Sequence, residues 1–211
     1  VADLTERGHL VPARVWAPDS ALEGQELAVD PVEAWMEHAE GRPGFVFCRT
    51  IAESRQIVEG LAVRGVSARH VDASTKTGDR DLAITAFQEG QVDVLSSVQV
   101  FTEGTDLPRA AVCMLARSFG SQGGYLQAVG RVLRPAPGKD DALVIDLAGA
   151  SRRWGHPADP RVWSLDGHRR GVKTSTSALG FVTCPECQLE FRRKPGQTKC
   201  PVRTCQAQLP E

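Results

Sequence analysis

Between residues 44 and 148 the chain alternates two hydrophobic patterns. Short strand-like runs recur: FVFCR (45–49), VSARHV (66–71), the almost unbroken VDVLSSV (92–98), AAVCMLA ending at Ala116, and ALVIDLA (142–148). Their length and their β-branched and aromatic content fit the strands of a largely buried sheet. Between them lie longer segments, ESRQIVEGLAVRG (53–65), DRDLAITAFQEG (79–90) and GYLQAVGRVL (124–133), in which apolar residues return every three or four positions. That period lines one side of a helix. Strands regularly separated by helices predict an α/β fold, with a mostly parallel sheet covered by helices on both faces.

The flanks extend this pattern. VPARVWAP reads as a further strand bracketed by prolines. DPVEAWMEHAEG (30–41) reads as a helix with Asp30 at the N-cap, Pro31 in the first turn, Glu33 in the reciprocal capping position and Gly41 as its stop. After Ala150 the periodicity fades. We therefore expect a main domain over residues 1–150, an extension or linker over 151–177 anchored by Trp154 and Trp163, and a small module over 178–211. Ligands of parallel sheets gather beyond the carboxyl ends of the strands, so loops 49–53, 72–79, 99–109 and 117–124 are expected to share one functional rim.

Charge divides the chain at the same place. Residues 1–150 hold 14 Lys/Arg against 21 Asp/Glu, whereas residues 151–211 hold 11 against 5. The basic end either attracts a phosphate backbone or serves solubility and partner docking. No apolar run reaches the roughly 18 residues that cross a bilayer. The opening VADLTERGHL lacks the apolar stretch of a signal peptide. A cytoplasmic protein without a membrane partner is expected, and the absence of an initiating Met points to a processed or cut end.

Cysteine usage adds chemistry to the tail. Cys48 and Cys113 stand singly in apolar runs and read as inert buried thiols. Cys184, Cys187, Cys200 and Cys205 crowd into 22 residues as Cys-x2-Cys, 12 residues, then Cys-x4-Cys. Two close thiolate pairs suit tetrahedral Zn2+, and so short a segment with little apolar content needs a metal to fold. A structural zinc is expected in preference to two disulfides, which a cytosolic chain disfavours. Four sulfur ligands leave no open position for catalysis, and His156 and His168 read as hydrogen-bonded or solvated rather than as ligands. The segment resembles a zinc ribbon. Arg192, Arg193 and Lys194, between the two pairs, either touch nucleic-acid phosphates or cover an ordinary exposed loop.

Gln127, Arg131 and Arg134 are spaced by four and three residues, so on a continuous helix their directions fall within about 60° of one another. Two guanidiniums on one face can clamp a polyphosphate and stabilise the charge that develops during transfer. The same spacing equally suits surface arginines that meet carboxylates. Asp106 alone equally reads as a turn former before Leu107 and Pro108, with Gly104 supplying a special backbone angle. Arg80, near a helix start, reads as the partner of Asp72 or Asp79.

QAVGRVLRP (127–135) is similar to the final signature of superfamily 2 helicases, Gln-x-x-Gly-Arg-x-x-Arg. FTEGTDLP (101–108) resembles their Gly-x-Asp-x-Pro motif, FVFCRT (45–50) the strand that opens their second motor lobe, and HVDASTKTGDRDLAITAFQEGQVDVL (70–95) the segment between. Within that superfamily the combination is similar to bacterial repair-type DNA helicases and the helicase lobes of restriction enzymes. The resemblance implies a RecA-like fold and specific roles. Arg131 and Arg134 would reach the γ-phosphate of ATP held on another lobe, with Arg134 as the finger, and Gln127 would order the hydrolytic water or the arginines. Gly104 and Asp106 would sense nucleotide. Arg49 and Thr50 would contact the nucleic-acid backbone, with Ser96, Ser97 and Thr102 as further hydrogen-bond donors. Val98 and Ser97 stand where the family commonly has Thr or Asn.

What the chain lacks narrows the expectation. No Gly-x-x-x-x-Gly-Lys-Ser/Thr occurs, and the lysines of residues 1–150, Lys76 and Lys139, follow no phosphate-cradling loop. No paired acidic motif is present to hold Mg2+. The chain is thus expected to be the second motor lobe of an ATP-dependent DNA helicase or translocase, inactive alone. ATP and Mg2+ would lie at an interface with a first RecA-like lobe, upstream or on another chain, and DNA, or else RNA, would be the track. The alternative is a non-catalytic nucleic-acid-binding or docking adaptor on the same fold, with the zinc module as reader.

Overall fold

The computed structural model describes residues 1–18, 27, 29–98, 100, 106–161, 181–186, 189–193, 196–201 and 205–209. Six strands form a parallel sheet: β1 (Ala13–Trp16), β2 (Gly44–Cys48), β3 (Ala68–Val71), β4 (Val94–Ser97), β5 (Val112–Ala116) and β6 (Ala142–Asp146), in the spatial order β3-β4-β2-β5-β6-β1. This is the expected RecA-like α/β fold. Strand side chains alternate between faces. Phe45, Phe47, Leu95, Cys113, Leu115 and Val144 face one side, where α4 (Thr77–Gln88) and α5 (Gln122–Gly130) cover them with Phe87, Tyr125, Ala128 and Val129. Val46, Cys48, Val94, Val112, Met114 and Ile145 face the other, under α2 (Pro31–His38) and α3 (Ile51–Val63). The central pairing is tight: a Cβ on Gly44 would overlap the Val112 carbonyl of the neighbouring strand.

Local chemistry sets the boundaries, and the expected cap at Asp30 is present while α2 ends at His38, short of Gly41. The Asp30 carboxylate caps α2 by accepting from the Val32 and Glu33 amides, both at 2.9 Å. Glu33, however, pairs with Arg64, the C-cap of α3. At α3 a capping box joins Thr50 to Glu53, which moves the helix start to Ile51. The short helix α6 (Ala150–Trp154) follows β6, and buried Asp146 gathers its first turn, accepting from the Ala150 amide at 3.0 Å and the Ser151 hydroxyl at 2.6 Å. Trp154, at the end of α6, donates from its indole to the Phe119 carbonyl at 3.0 Å. Trp163 and His168 lie outside the described residues.

Two expectations are corrected. Helix α5 closes at Gly130, not at Leu133, because the Arg131 and Val132 amides reach back only three residues, to Ala128 and Val129, and Val132 and Leu133 turn into the core. Arg134 therefore lies beyond the helix and is not placed by its face. Arg80 donates to the backbone carbonyls of Asp72 (3.3 Å) and Thr75 (3.4 Å) rather than to a carboxylate.

The tail extends the sheet. Strands β7 (Phe181–Thr183) and β8 (Leu189–Arg192) form an antiparallel hairpin, and β8 pairs antiparallel with β1, Val15 opposite Glu190 and Trp16 opposite Leu189. Cys184, Leu189, Phe191, Cys200 and Leu209 join the apolar cluster of Trp16 and Ile145. An N-terminal turn, α1 (Ala2–Glu6), completes the described elements.

Candidate functional site

The chemistry-bearing residues fall at opposite ends of the sheet. Parallel strands all start at one end, so each crossover must return there before the next strand begins. The segment 106–110 does so: Arg109 donates to the Val92 carbonyl at 3.0 Å, just before β4, and Leu107 is buried. The turn after α5 does likewise, with the Val11 amide donating to the Leu133 carbonyl at 2.8 Å, just before β1. Asp106 and Arg134 thus meet where the strands begin, not on the carboxyl-end rim expected for loop 99–109. The rim rule describes a ligand cradled by a sheet's own loops, and a lobe that lends a finger to a ligand held elsewhere is not bound by it.

At that end the Arg134 guanidinium pairs with the Asp106 carboxylate; the side chains are 37% and 76% exposed. Neither is committed to the core. Arg131 is half-buried at the helix end, and Gln127 is exposed on α5, whose N-cap is the Ser121 hydroxyl accepting from the Gly124 amide at 3.1 Å. Asp106 and Arg134 are therefore brought together, with Arg131 near in the chain, while Gly104 lies outside the described residues. Sequence reasoning missed Lys139, whose ammonium donates to the carbonyls of Pro108 (3.0 Å), Ala110 (2.6 Å) and Arg134 (2.8 Å). Burial and the nearby Arg42 charge lower its pKa to about 8. Its position after Gly138 in a turn was the available signal.

The opposite rim is organised by a chain of hydrogen bonds. Cys48 and Ser96 approach at 3.4 Å, Ser96 and Ser54 at 2.6 Å, Ser54 and His70 Nδ1 at 2.6 Å, and His70 Nε2 and Asp72 at 2.9 Å. Donors from Ser74 and the His70 contact hold the Asp72 carboxyl well below the usual carboxylate range. The Ser-His-Asp order is not a hydrolytic triad, since Ser54 is fully buried on α3. It ties β2, β3, β4 and α3 together beneath the rim. Ser96 and Ser97 are fully buried, and the Ser97 hydroxyl donates to the Val100 carbonyl at 3.1 Å. This corrects the expectation that they reach a backbone directly: they support the loops above them. Arg49 stays exposed and pairs with Glu53 at 2.6 Å, while Thr50 accepts from the Glu53 amide at 3.1 Å as the cap of α3. Thr102 lies outside the described residues.

In the tail, the sulfurs of Cys184, Cys200 and Cys205 lie within 4.8 Å of one another, with Cys184 and Cys205 3.6 Å apart. Ligands of a tetrahedral zinc with Zn–S bonds of about 2.3 Å stand about 3.8 Å apart, so three sulfurs of the expected four fit that ion. Their separation is far beyond the roughly 2 Å of a disulfide. Cys187 and Lys194 lie outside the described residues, and Arg193 donates to the Gln197 carbonyl at 2.8 Å. Arg192 closes β8. Cys48 and Cys113 are fully buried, and burial raises both thiols' pKa. Among the described residues no helix is long and apolar enough to cross a membrane.

Comparison with known proteins matches residues 27–136, just over half the chain, to the helicase conserved C-terminal domain. A 51.5 kDa protein of a Lactococcus phage is 29% identical over 173 residues, covering 80% of this chain and 37% of that protein. The DNA 3'-5' helicase XPB of Mycobacterium tuberculosis is 38% identical over 148 residues, covering 59% and 27%. Among solved structures, the ATP-dependent Type ISP restriction-modification enzyme LlaBIII bound to DNA superposes with a TM-score of 0.54 at 20% identity, covering 69% of this chain and 12% of that one, a likeness of fold. The chain spans well under half the length of these relatives.

Proposed function

The chain belongs to the helicase conserved C-terminal domain family, and from that premise we propose that it is the second motor lobe of an ATP-dependent DNA helicase or translocase. The observation that carries the reading is the half-exposed Arg134, held by an exposed carboxylate at one end of the sheet. An exposed ion pair contributes little, under about 1 kcal/mol. The Asp106 contact therefore does little to hold Arg134 back from a triphosphate. Arg131 and Gln127 are assigned to the same ligand, and Gly104 and Asp106 to reporting its presence. The phosphate-cradling loop and Mg2+ ligands belong to a first RecA-like lobe, because this sequence contains neither. The chain alone is accordingly inactive.

The opposite end, with Arg49 and Thr50, is assigned to the DNA backbone, supported from below by Ser96 and Ser97, and Thr102 is assigned to the same strand from the helicase motif it belongs to. The two ligands then meet opposite ends of one rigid sheet, and closing or opening on nucleotide shifts the grip on the strand. Cys184, Cys187, Cys200 and Cys205 hold a structural Zn2+ that fastens the β7–β8 hairpin to β1, and Arg192, Arg193 and Lys194 add phosphate contacts. The test is ATP hydrolysis by the chain joined to, or mixed with, a lobe carrying a phosphate loop. Hydrolysis stimulated by single-stranded DNA, lost in Arg134→Ala, supports the reading; stimulation by RNA alone would reassign the track. Strong salt-dependent DNA binding with no hydrolysis beside any such lobe would establish the adaptor instead.

A further inference from the structure

Lys139 ends the turn PAPGK that follows the finger segment. The turn closes on itself: the Lys139 amide donates to the Ala136 carbonyl at 3.1 Å, and Gly138 takes a φ of +73°, which side chains resist. The side chain then folds back to the three carbonyls of Pro108, Ala110 and Arg134. Three acceptors match the three donors of an ammonium. They come from two segments far apart in sequence: Pro108 and Ala110 follow Asp106 toward β5, and the third carbonyl belongs to Arg134 itself.

We propose that Lys139 is a positioning residue for the Asp106–Arg134 pair, locking the turn that presents the Arg134 guanidinium against the segment that begins at Asp106. The lock stands on the hydrogen bonds; its catalytic consequence rests on reading Arg134 as the finger. A surface lysine that merely supplied charge would avoid this place, where desolvation and Arg42 both oppose the ammonium. The carbonyls are what hold it. Removing the donors takes the shared partner from three carbonyls, two of them part-buried, and frees each segment to move without the other. Arginine keeps the charge, but its planar fork cannot aim three donors at acceptors that converge on one atom.

Amide hydrogen exchange on the chain, with wild type, Lys139→Met and Lys139→Arg, tests the lock. Amides between residues 107 and 110 and between 131 and 134 exchange about tenfold faster in both variants, while those of β5 and β6 keep their protection. Beside a phosphate-loop lobe, both variants lose about tenfold in kcat with KM for ATP little changed, because a displaced finger fails in the transition state rather than in binding. Wild-type exchange in both segments of Lys139→Met overturns the proposal, as does full rescue of exchange by arginine. If methionine unfolds the strands as well, the arginine variant's local exchange decides. Undiminished kcat in Arg134→Ala sinks the finger reading, and exchange still judges the lock.

Discussion

Arg134 and Asp106, separated by 28 residues of chain, meet as an ion pair at the end of the sheet where the strands begin. Helix α5 stops at Gly130, and the following turn delivers Arg134 to a carboxylate on the crossover into β5. The pair is accessible from outside, which suits a side chain that changes partners.

That geometry separates stability from activity. Asp106→Asn is expected to change unfolding free energy by less than about 1 kcal/mol, as exposed pairs do, while altering ATP turnover beside a first lobe. Arg134→Ala should likewise fold normally yet lose turnover by about 1000-fold, the scale of an arginine finger. Urea unfolding alongside steady-state hydrolysis measures both. A large stability loss in either variant would make the pair a structural strut.

Metal loading should govern the sheet edge. Metal analysis is expected to find one zinc per chain. Chelation should release β8 from β1 and speed amide exchange at residues 13–16, because Cys184 and Cys200 share a core with Trp16. Cys200→Ser is expected to lower Tm by roughly 6–12 °C, from a loss of about 3 kcal/mol in a domain of this size. Unchanged exchange at β1 after the metal is gone would show that the hairpin docks without it.

His156 should make the fold sensitive to mild acid. Its imidazole is buried, accepts from the Ala158 amide at 3.1 Å, and is pushed from 6.5 down to about 3, chiefly by burial and then by the Arg161 charge. Below 6.5 the unfolded chain binds a proton that the folded chain refuses, so stability falls as pH falls. Between pH 6.5 and about 5 the expected loss is roughly 1–2 kcal/mol. His156→Asn removes this slope, as urea midpoints across that range can measure; an identical slope in the variant would assign it elsewhere. Asp159, whose carboxyl is raised by burial, acts in the opposite sense at lower pH.

Ser54 should matter for stability although it touches no candidate ligand. Ser54→Ala leaves Ser96 and His70 without the hydroxyl that joins them, at an expected cost of about 1–3 kcal/mol. Circular dichroism in denaturant reads this directly. A variant within about 0.5 kcal/mol of wild type would mean that the chain of hydrogen bonds reforms around the gap.

The sequence alone determined the alternation of buried strands and amphipathic helices, the cap at Asp30, the order of the helicase motifs and the spacing of the four cysteines. Each follows from local rules: side-chain period selects which residues enter the core, and short-range geometry selects caps and metal pairs. It did not show which end of the sheet would carry Arg134, nor that Lys139 would tie two crossovers together, nor that Ser96 and Ser97 would lie inside. Nor did it show the tail strand pairing with β1. Those depend on where parallel crossovers return and on the neighbours each strand acquires. Contacts between residues dozens of positions apart leave no periodic trace in a single chain, so only the folded molecule decided them.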